Sequence, residues 1–181
     1  MREKFVVVAL TLSFLAVGNA GGNVTSVASL LDQANSIDSE ELQMAKTAEE
    51  KARDSQPLRA FADVLKTDLQ ANEDALIALS RRKNVKIEDM PGFADKHVSV
   101  LENTHDGQFS ETFLNDEINS NKTALDYFLQ AKRQFSDDPE VESYIGRTIP
   151  ILSAHLEMAK NLERAMIREK LLSSLLLLGY D

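Results

Sequence analysis

The chain contains no cysteine among its 181 residues. This absence excludes disulfide bonds, thiolate catalysis, cysteine-ligated zinc and a lipid anchor on a cysteine. The sequence also has no glycine-rich phosphate-binding loop, no Gly-x-Ser-x-Gly motif, no internal repeat and no segment with a clear strand pattern. The informative features are therefore helical periodicity and the placement of ionisable side chains.

Positive charge is in the minority, with 20 Lys and Arg against 29 Asp and Glu and a net charge of −9. Without Arg2, Glu3 and Lys4, 18 basic and 28 acidic residues remain. A nucleic-acid partner needs a basic face, and anionic lipid attracts basic segments. We therefore expect no nucleic-acid partner and no electrostatic docking on lipid, and we attribute the acidic surface to solubility.

The N-terminus has the pattern of a secretory signal peptide. A short basic start, "MREK", precedes the apolar run "FVVVALTLSFLAVG" and the small residues of "GNA". We predict cleavage after Ala20, which makes residues 1–20 a signal peptide, 21–26 a flexible lead and 27–178 a single helical domain in the periplasm or outside the cell. The alternative is an uncleaved anchor, but the run is shorter than the roughly 20 residues that span a bilayer.

Apolar residues recur at three- and four-residue steps in four long stretches, which is the spacing of amphipathic helices. These predicted helices cover residues 27–53, 57–83, 109–135 and 139 to beyond 170. The motif "DSQP" ends the first, and Asp138 is placed to N-cap the fourth. Together they predict an all-α antiparallel four-helix bundle with a longer crossover between helices 2 and 3. In that crossover, residues 84–108, "FADKHVSVLEN" is a candidate short helix and "HDG" a predicted turn.

One polar residue interrupts the apolar stripe near the middle of each helix: Glu41, Asp68, Asn121 and His155. Midpoints of antiparallel helices lie at similar heights, so these four are predicted to form one polar layer. One interpretation is a metal site with Glu41, Asp68 and His155 as ligands. The other is a hydrogen-bonded network, or a cluster partly open to water, that fixes helix register.

Other catalytic and metal patterns are incomplete. A di-iron bundle needs Glu-x-x-His on two helices, but Leu152 stands three residues before His155. The Glu102 and His105 pair is in the crossover, where His105 and His97 are interpreted as loop residues. Ser153 lies on a different helix face from His155. We therefore predict no catalytic residues, no enzyme activity and no cofactor.

The fourth helix has two unusual features. Pro150 stands inside the apolar pattern, four residues after Gly146, and predicts a bend before His155 rather than a helix end. The C-terminus, "LLSSLLLLGYD", has six leucines in residues 171–178. They either pack against the end of the domain or form an exposed patch for a partner, for self-association or for membrane contact.

The sequence also resembles a known family, the exported bacterial ferritin-like proteins of unknown function often described as outer-membrane proteins. The segments that carry the resemblance are "EELQMAKTAEEKA", "PLRAFADVLKTDLQANEDALIAL", "FSETFLNDEI...ALDYF" and "DPEVESYIGRTIPILSAHLEMAK". The family pattern has Asp-His in its second and third helices and His in its fourth. Here those positions are Asp68-Leu69, Ser120-Asn121 and His155. Glu41 matches an acidic position of the first helix.

The resemblance implies a ferritin-like fold and export, and it supplies no reaction. We predict an exported, non-enzymatic binding or envelope-stress protein whose partner is an unidentified protein or small ligand. One alternative is a degenerate metal-binding bundle using Glu41, Asp68 and His155. The other is an interaction module that docks through residues 171–178.

Overall fold

The computed structural model describes residues 24–88 and 94–177, with the side chains of residues 94–97 and 106 left out. The predicted signal peptide, residues 1–20, and the end of the leucine-rich tail, residues 178–181, lie outside these ranges. The side chain of His97 does as well.

Five helices account for most of the described residues, and no strand occurs in either range. The all-α class predicted from the sequence is confirmed. The helices are α1 (Val27–Lys51), α2 (Gln56–Lys83), α3 (Ala94–Asn103), α4 (Asp106–Gln134) and α5 (Pro139–Leu177).

Local sequence explains where these helices begin and end. Ser26 and Ser29 form a reciprocal capping box at the start of α1. Ser55 accepts a hydrogen bond from the Leu58 amide at the start of α2. Asn84, the C-cap that follows α2, adopts a left-handed conformation with φ of 52°. Asp138 accepts a bond from the Val141 amide at the start of α5, as predicted.

The crossover between α2 and α4 contains the short helix α3, as the sequence suggested. The predicted turn at "HDG" is wrong, because α4 begins at Asp106 directly after His105. Lys51 joins α3 to the end of α1: its Nζ donates to the carbonyl oxygens of Leu101 at 3.1 Å and Thr104 at 3.0 Å, and also to that of Glu102. This ammonium supplies donors to carbonyl oxygens at the C-terminus of α3, where the helix leaves some carbonyls without intrahelical partners.

Packing is most extensive between α4 and α5 and between α1 and α2, and α2 also contacts α5. The core has two apolar clusters. One contains Phe61, Phe109 and Phe113, and the other contains Phe128 and Tyr144. Polar side chains of α1, α2, α4 and α5 lie in the same interior, and they form the candidate site described below.

Helix α5 is 39 residues long, whereas α1, α2 and α4 have 25, 28 and 29 residues. It continues through Pro150, so the prediction that this proline does not end the helix is confirmed. Its last fully or nearly buried side chain is Ala159, and Leu162 and Met166 are only partly buried. Beyond them, every described side chain from residue 167 to 177 is exposed.

Candidate functional site

The four residues predicted to form a polar layer do not share one environment. Glu41, Asn121 and His155 have no exposed surface. The side chain of Asp68 is 39% exposed and lies at the edge of the interior. The side chains from α1, α4 and α5 are therefore shielded from water, and the one from α2 is partly exposed.

His155 pairs with Asp68 across α5 and α2. His155 Nε2 lies 2.9 Å from Asp68 Oδ2, and because a carboxylate only accepts, Nε2 carries the proton. Burial lowers the pKa of His155, with the neighbouring Asp68 acting in the opposite direction. Nδ1 of the neutral ring is then an acceptor, and it is buried without a hydrogen-bond partner.

Glu41 points from α1 toward α4. Its Oε1 accepts a 3.0 Å bond from the Ser120 hydroxyl, whereas its Oε2 has no partner and is buried. Burial raises the pKa of Glu41 to about 8, with a further contribution from the charge of Asp38. An uncharged Glu41 is thus the favoured form in the interior near neutral pH.

Asn121 lies one helical turn after Glu117 on α4, and both are fully buried. The amide of Asn121 donates to the Glu117 carbonyl at 2.9 Å and to Glu117 Oε2 at 3.3 Å. Burial, followed by the charge of Glu41, raises the pKa of Glu117 well above its ordinary value. Glu117 Oε1 and Asn121 Oδ1 have no hydrogen-bond partner.

A fourth group of polar residues centres on Asn72 of α2. Its amide nitrogen donates to Asp38 Oδ2 at 2.8 Å and to the Tyr144 hydroxyl at 3.2 Å. Its amide oxygen accepts from the Thr148 hydroxyl at 2.9 Å. Burial raises the pKa of Asp38 to about 7, against the opposing effect of the Asn72 bond.

The expectation of one mutually bonded layer is therefore corrected. Of the four predicted residues, only Asp68 and His155 bond to each other, while Glu41 bonds to Ser120 and Asn121 to Glu117. Within residues 24–88 and 94–177, no three His, Cys, Asp or Glu side chains come together as a set of metal ligands. The structure thus does not assemble Glu41, Asp68 and His155 around one point.

Several buried polar residues were not singled out from the sequence, and Asp38, Asn72 and Glu117 are among them. Asp38 precedes Glu41 by three positions and Glu117 precedes Asn121 by four, so each shares a helix face with a residue that was singled out. This spacing was the sequence signal that could have identified Asp38 and Glu117. It was not distinctive, because acidic residues are abundant and most of those described face water.

The C-terminal part of α5 is the other candidate functional region. Leu171, Leu172, Leu175, Leu176 and Leu177 are between 49% and 88% exposed. Two hypotheses were given for the leucine-rich tail. The exposure of residues 171–177 fits an exposed apolar patch and does not fit packing against the domain. Among the helices that the structure describes, none is both long and apolar enough to cross a membrane.

Comparison with known protein families gives a match over most of the chain. The profile of the family described as Domain of unknown function (DUF4142) matches residues 15–162. No curated protein and no solved structure shows a significant match. The matched range includes every residue of the polar interior described above, and it ends before the exposed leucines of α5.

Proposed function

Because this chain belongs to the family described as Domain of unknown function (DUF4142), whose description assigns no reaction, we propose its function from its geometry. The proposal is an exported, non-enzymatic binding protein of the periplasm. Its four long helices, α1, α2, α4 and α5, form a ferritin-like antiparallel bundle, and the buried polar interior holds a small ligand.

One observation carries this proposal: four polar atoms in the interior are buried without a hydrogen-bond partner. They are Glu41 Oε2, Glu117 Oε1, Asn121 Oδ1 and His155 Nδ1. A buried polar group without a partner costs about 1–3 kcal/mol, and native interiors contain few of them. A ligand that supplied partners to several of these atoms would remove that cost and would bind through it.

Export is supported by the N-terminal pattern of a basic start, an apolar run and small residues before position 21. The bundle is supported by helix lengths and connections. Residues 52–55 join α1 to α2, and residues 135–138 join α4 to α5. Connections of this length place consecutive helices side by side and antiparallel.

To test this function, the full chain is expressed in a bacterial host and purified from the periplasmic fraction. Native mass spectrometry of the folded protein is then compared with the mass of the denatured polypeptide. We expect loss of residues 1–20 and an additional non-covalent mass in the native spectrum. An uncleaved chain retained in the cytoplasm would refute export, and equal native and denatured masses after dialysis against periplasmic extract would refute ligand binding.

The exposed leucines of α5 favour a second function, docking on a partner surface or on a membrane. Full-length protein and a chain lacking residues 171–181 can be compared by gel filtration and by flotation with phosphatidylethanolamine and phosphatidylglycerol vesicles. Docking predicts that the full chain elutes as a larger species or floats, and that the truncated chain does neither. Identical behaviour of the two chains would exclude this function.

A further inference from the structure

We propose that Glu41, Glu117 and Asn121, with the hydroxyl of Ser120, form a binding site between α1 and α4 for a hard divalent cation such as Mn²⁺ or Ca²⁺. This inference rests on the proposed function, because it identifies the chemical class of the ligand. The site differs from the predicted metal set, since Glu117 and Asn121 replace Asp68 and His155.

The buried atoms without a partner at this site are all of one kind. Glu41 Oε2, Glu117 Oε1 and Asn121 Oδ1 are all oxygens, and all are buried. The Ser120–Glu41 bond of 3.0 Å brings Glu41 against the turn of α4 that carries Glu117 and Asn121. Asn121 also bonds to Glu117, so the three oxygens belong to side chains linked through adjacent residues of α4. A single cation between α1 and α4 would serve all three.

Asn121 supports the site independently of the two carboxyl groups. It has no exposed surface, and its nitrogen is already used in bonds to Glu117. Its oxygen is buried without a donor. An amide oxygen does not take up a proton near neutral pH, so it needs a donor or a cation from elsewhere.

Acidic neighbours act on both carboxyl groups of the site. Asp38 and Glu40 add to the effect of burial in raising the pKa of Glu41. Glu41, Asp116 and Glu40 do the same for the pKa of Glu117. A divalent cation bound between Glu41 and Glu117 would stabilise their charged forms.

The donor set selects among cations. Carboxylate, amide and hydroxyl oxygens suit Ca²⁺, Mg²⁺ and Mn²⁺, whereas Zn²⁺ and Cu²⁺ prefer imidazole or thiolate ligands. The chain has no cysteine, and Asp68 already holds His155 Nε2. Two carboxylates balance one divalent charge. Mg²⁺ gives up water reluctantly, so the fully buried oxygens favour Mn²⁺ or Ca²⁺ over it.

The competing explanation is protonation. A neutral Glu117 can donate from Oε1 to Asn121 Oδ1 while Oε2 accepts from the amide nitrogen, which gives a closed acid–amide pair. This arrangement would satisfy both residues without a metal ion. It makes a different prediction for Glu117→Gln, because a glutamine side chain can form the same pair but cannot bind a cation as a carboxylate.

The test uses the mature full-length protein, stripped of metals by chelation, and titrates it with Mn²⁺, Ca²⁺, Mg²⁺ and Zn²⁺ by calorimetry and thermal unfolding. We expect Mn²⁺ or Ca²⁺ to bind with one-to-one stoichiometry and to raise the melting temperature. Glu117→Gln and Glu41→Gln should each weaken binding by about 100-fold or more. The control Asp126→Asn, at an exposed position of α4, should leave binding unchanged.

Several results would overturn the inference. No stabilisation by any cation, together with a Glu117→Gln variant as stable as wild type, would assign the layer to a protonated pair. Zn²⁺ binding that is lost in His155→Ala but kept in Glu117→Gln would place the metal at the Asp68–His155 pair instead. An organic ligand found by native mass spectrometry, without metal binding, would refute the cation site while leaving the proposed binding function intact.

Discussion

The interior polar layer and the end of α5 depart from the usual distribution of side chains in opposite directions. In the interior, the carboxyl groups of Asp38, Glu41 and Glu117 are buried where apolar groups are expected. At the end of α5, leucines are exposed where polar groups are expected. Each arrangement lowers the stability or solubility of the isolated chain. These are the two regions in which we propose that another molecule binds.

The two regions differ in the ligand that would complete them. The interior has buried oxygen atoms without hydrogen-bond partners, and the ligand we propose there is an ion or a small polar molecule. The end of α5 has exposed leucines, and the partner we propose there is a lipid or a protein. They also differ in relation to the family: the interior lies within the matched residues 15–162, and the exposed leucines lie beyond them.

The largest expected effect is the difference in stability loss between truncating a buried leucine and truncating an exposed one. Leu76 has no exposed surface, whereas Leu176 is 74% exposed. We expect Leu76→Ala to lower the free energy of unfolding by about 2–5 kcal/mol, because it leaves a cavity. Leu176→Ala should change it by less than about 0.5 kcal/mol. Urea denaturation of both variants measures the difference, and equal losses would show that the tail is packed in solution.

A second prediction concerns pH. The pKa of Asp38 is raised from 3.8 to about 7 in the folded state, so between these values the folded chain retains a proton that the unfolded chain has lost. Stability should therefore fall as pH rises through this window, by up to about 4 kcal/mol from this group. Glu41 and Glu117 act in the same direction.

Asp38→Asn isolates the contribution of one carboxyl group. The variant is neutral at every pH, so its stability should decline less steeply than that of wild type between pH 4 and pH 7. Asp126→Asn, which changes an exposed carboxylate on α4, should follow the wild-type curve. Chemical denaturation at a series of pH values provides the measurement, and coincident curves for Asp38→Asn and wild type would contradict a buried, protonated Asp38.

A third and smaller effect tests whether the interior network is held together by Asn72. Asn72→Ala removes the bonds to Asp38, Tyr144 and Thr148 and leaves buried groups unpaired. We expect a loss of about 1–3 kcal/mol in the free energy of unfolding. Gln70→Ala, at an exposed position of α2, is the matched control. Thermal unfolding followed by circular dichroism measures the change in stability. A loss of stability no greater than that of the control would show that the network adds none.

The smallest expected effect lies on the outer face of α5. A Cβ at Gly146 would meet no atom within 4 Å, and the position is exposed. Gly146→Ala should therefore raise the free energy of unfolding by up to about 1 kcal/mol, because alanine favours helix over glycine. Denaturation measures the change. Destabilisation would indicate that the helix needs glycine to bend before Pro150.

Helix positions could be predicted from the sequence because they depend on local signals. Apolar spacing placed the four long helices to within a few residues, and Asp138 was correctly placed as a cap. The predicted turn before Gly107 was wrong because α4 begins one turn earlier than its apolar pattern. Capping and packing of that first turn depend on contacts that the local sequence does not specify.

The partners within the interior could not be predicted in the same way. Glu41, Asn121 and His155 were correctly identified as interruptions of apolar faces, and all three are buried. The sequence did not distinguish Asp68 from Asn72, which both lie near the apolar face of α2 but differ in burial. A small rotation of a helix about its axis decides which is enclosed, and that rotation is set by the packing of all the helices together.

The contact between Lys51 and α3 has a consequence for local opening. Lys51, at the end of α1, donates to the carbonyl oxygens of Leu101 and Glu102 at the end of α3, and the side chain of Leu101 is fully buried. We therefore expect local opening of α3 to require its separation from α1, and hydrogen exchange of the α3 amides would measure the free energy of that step.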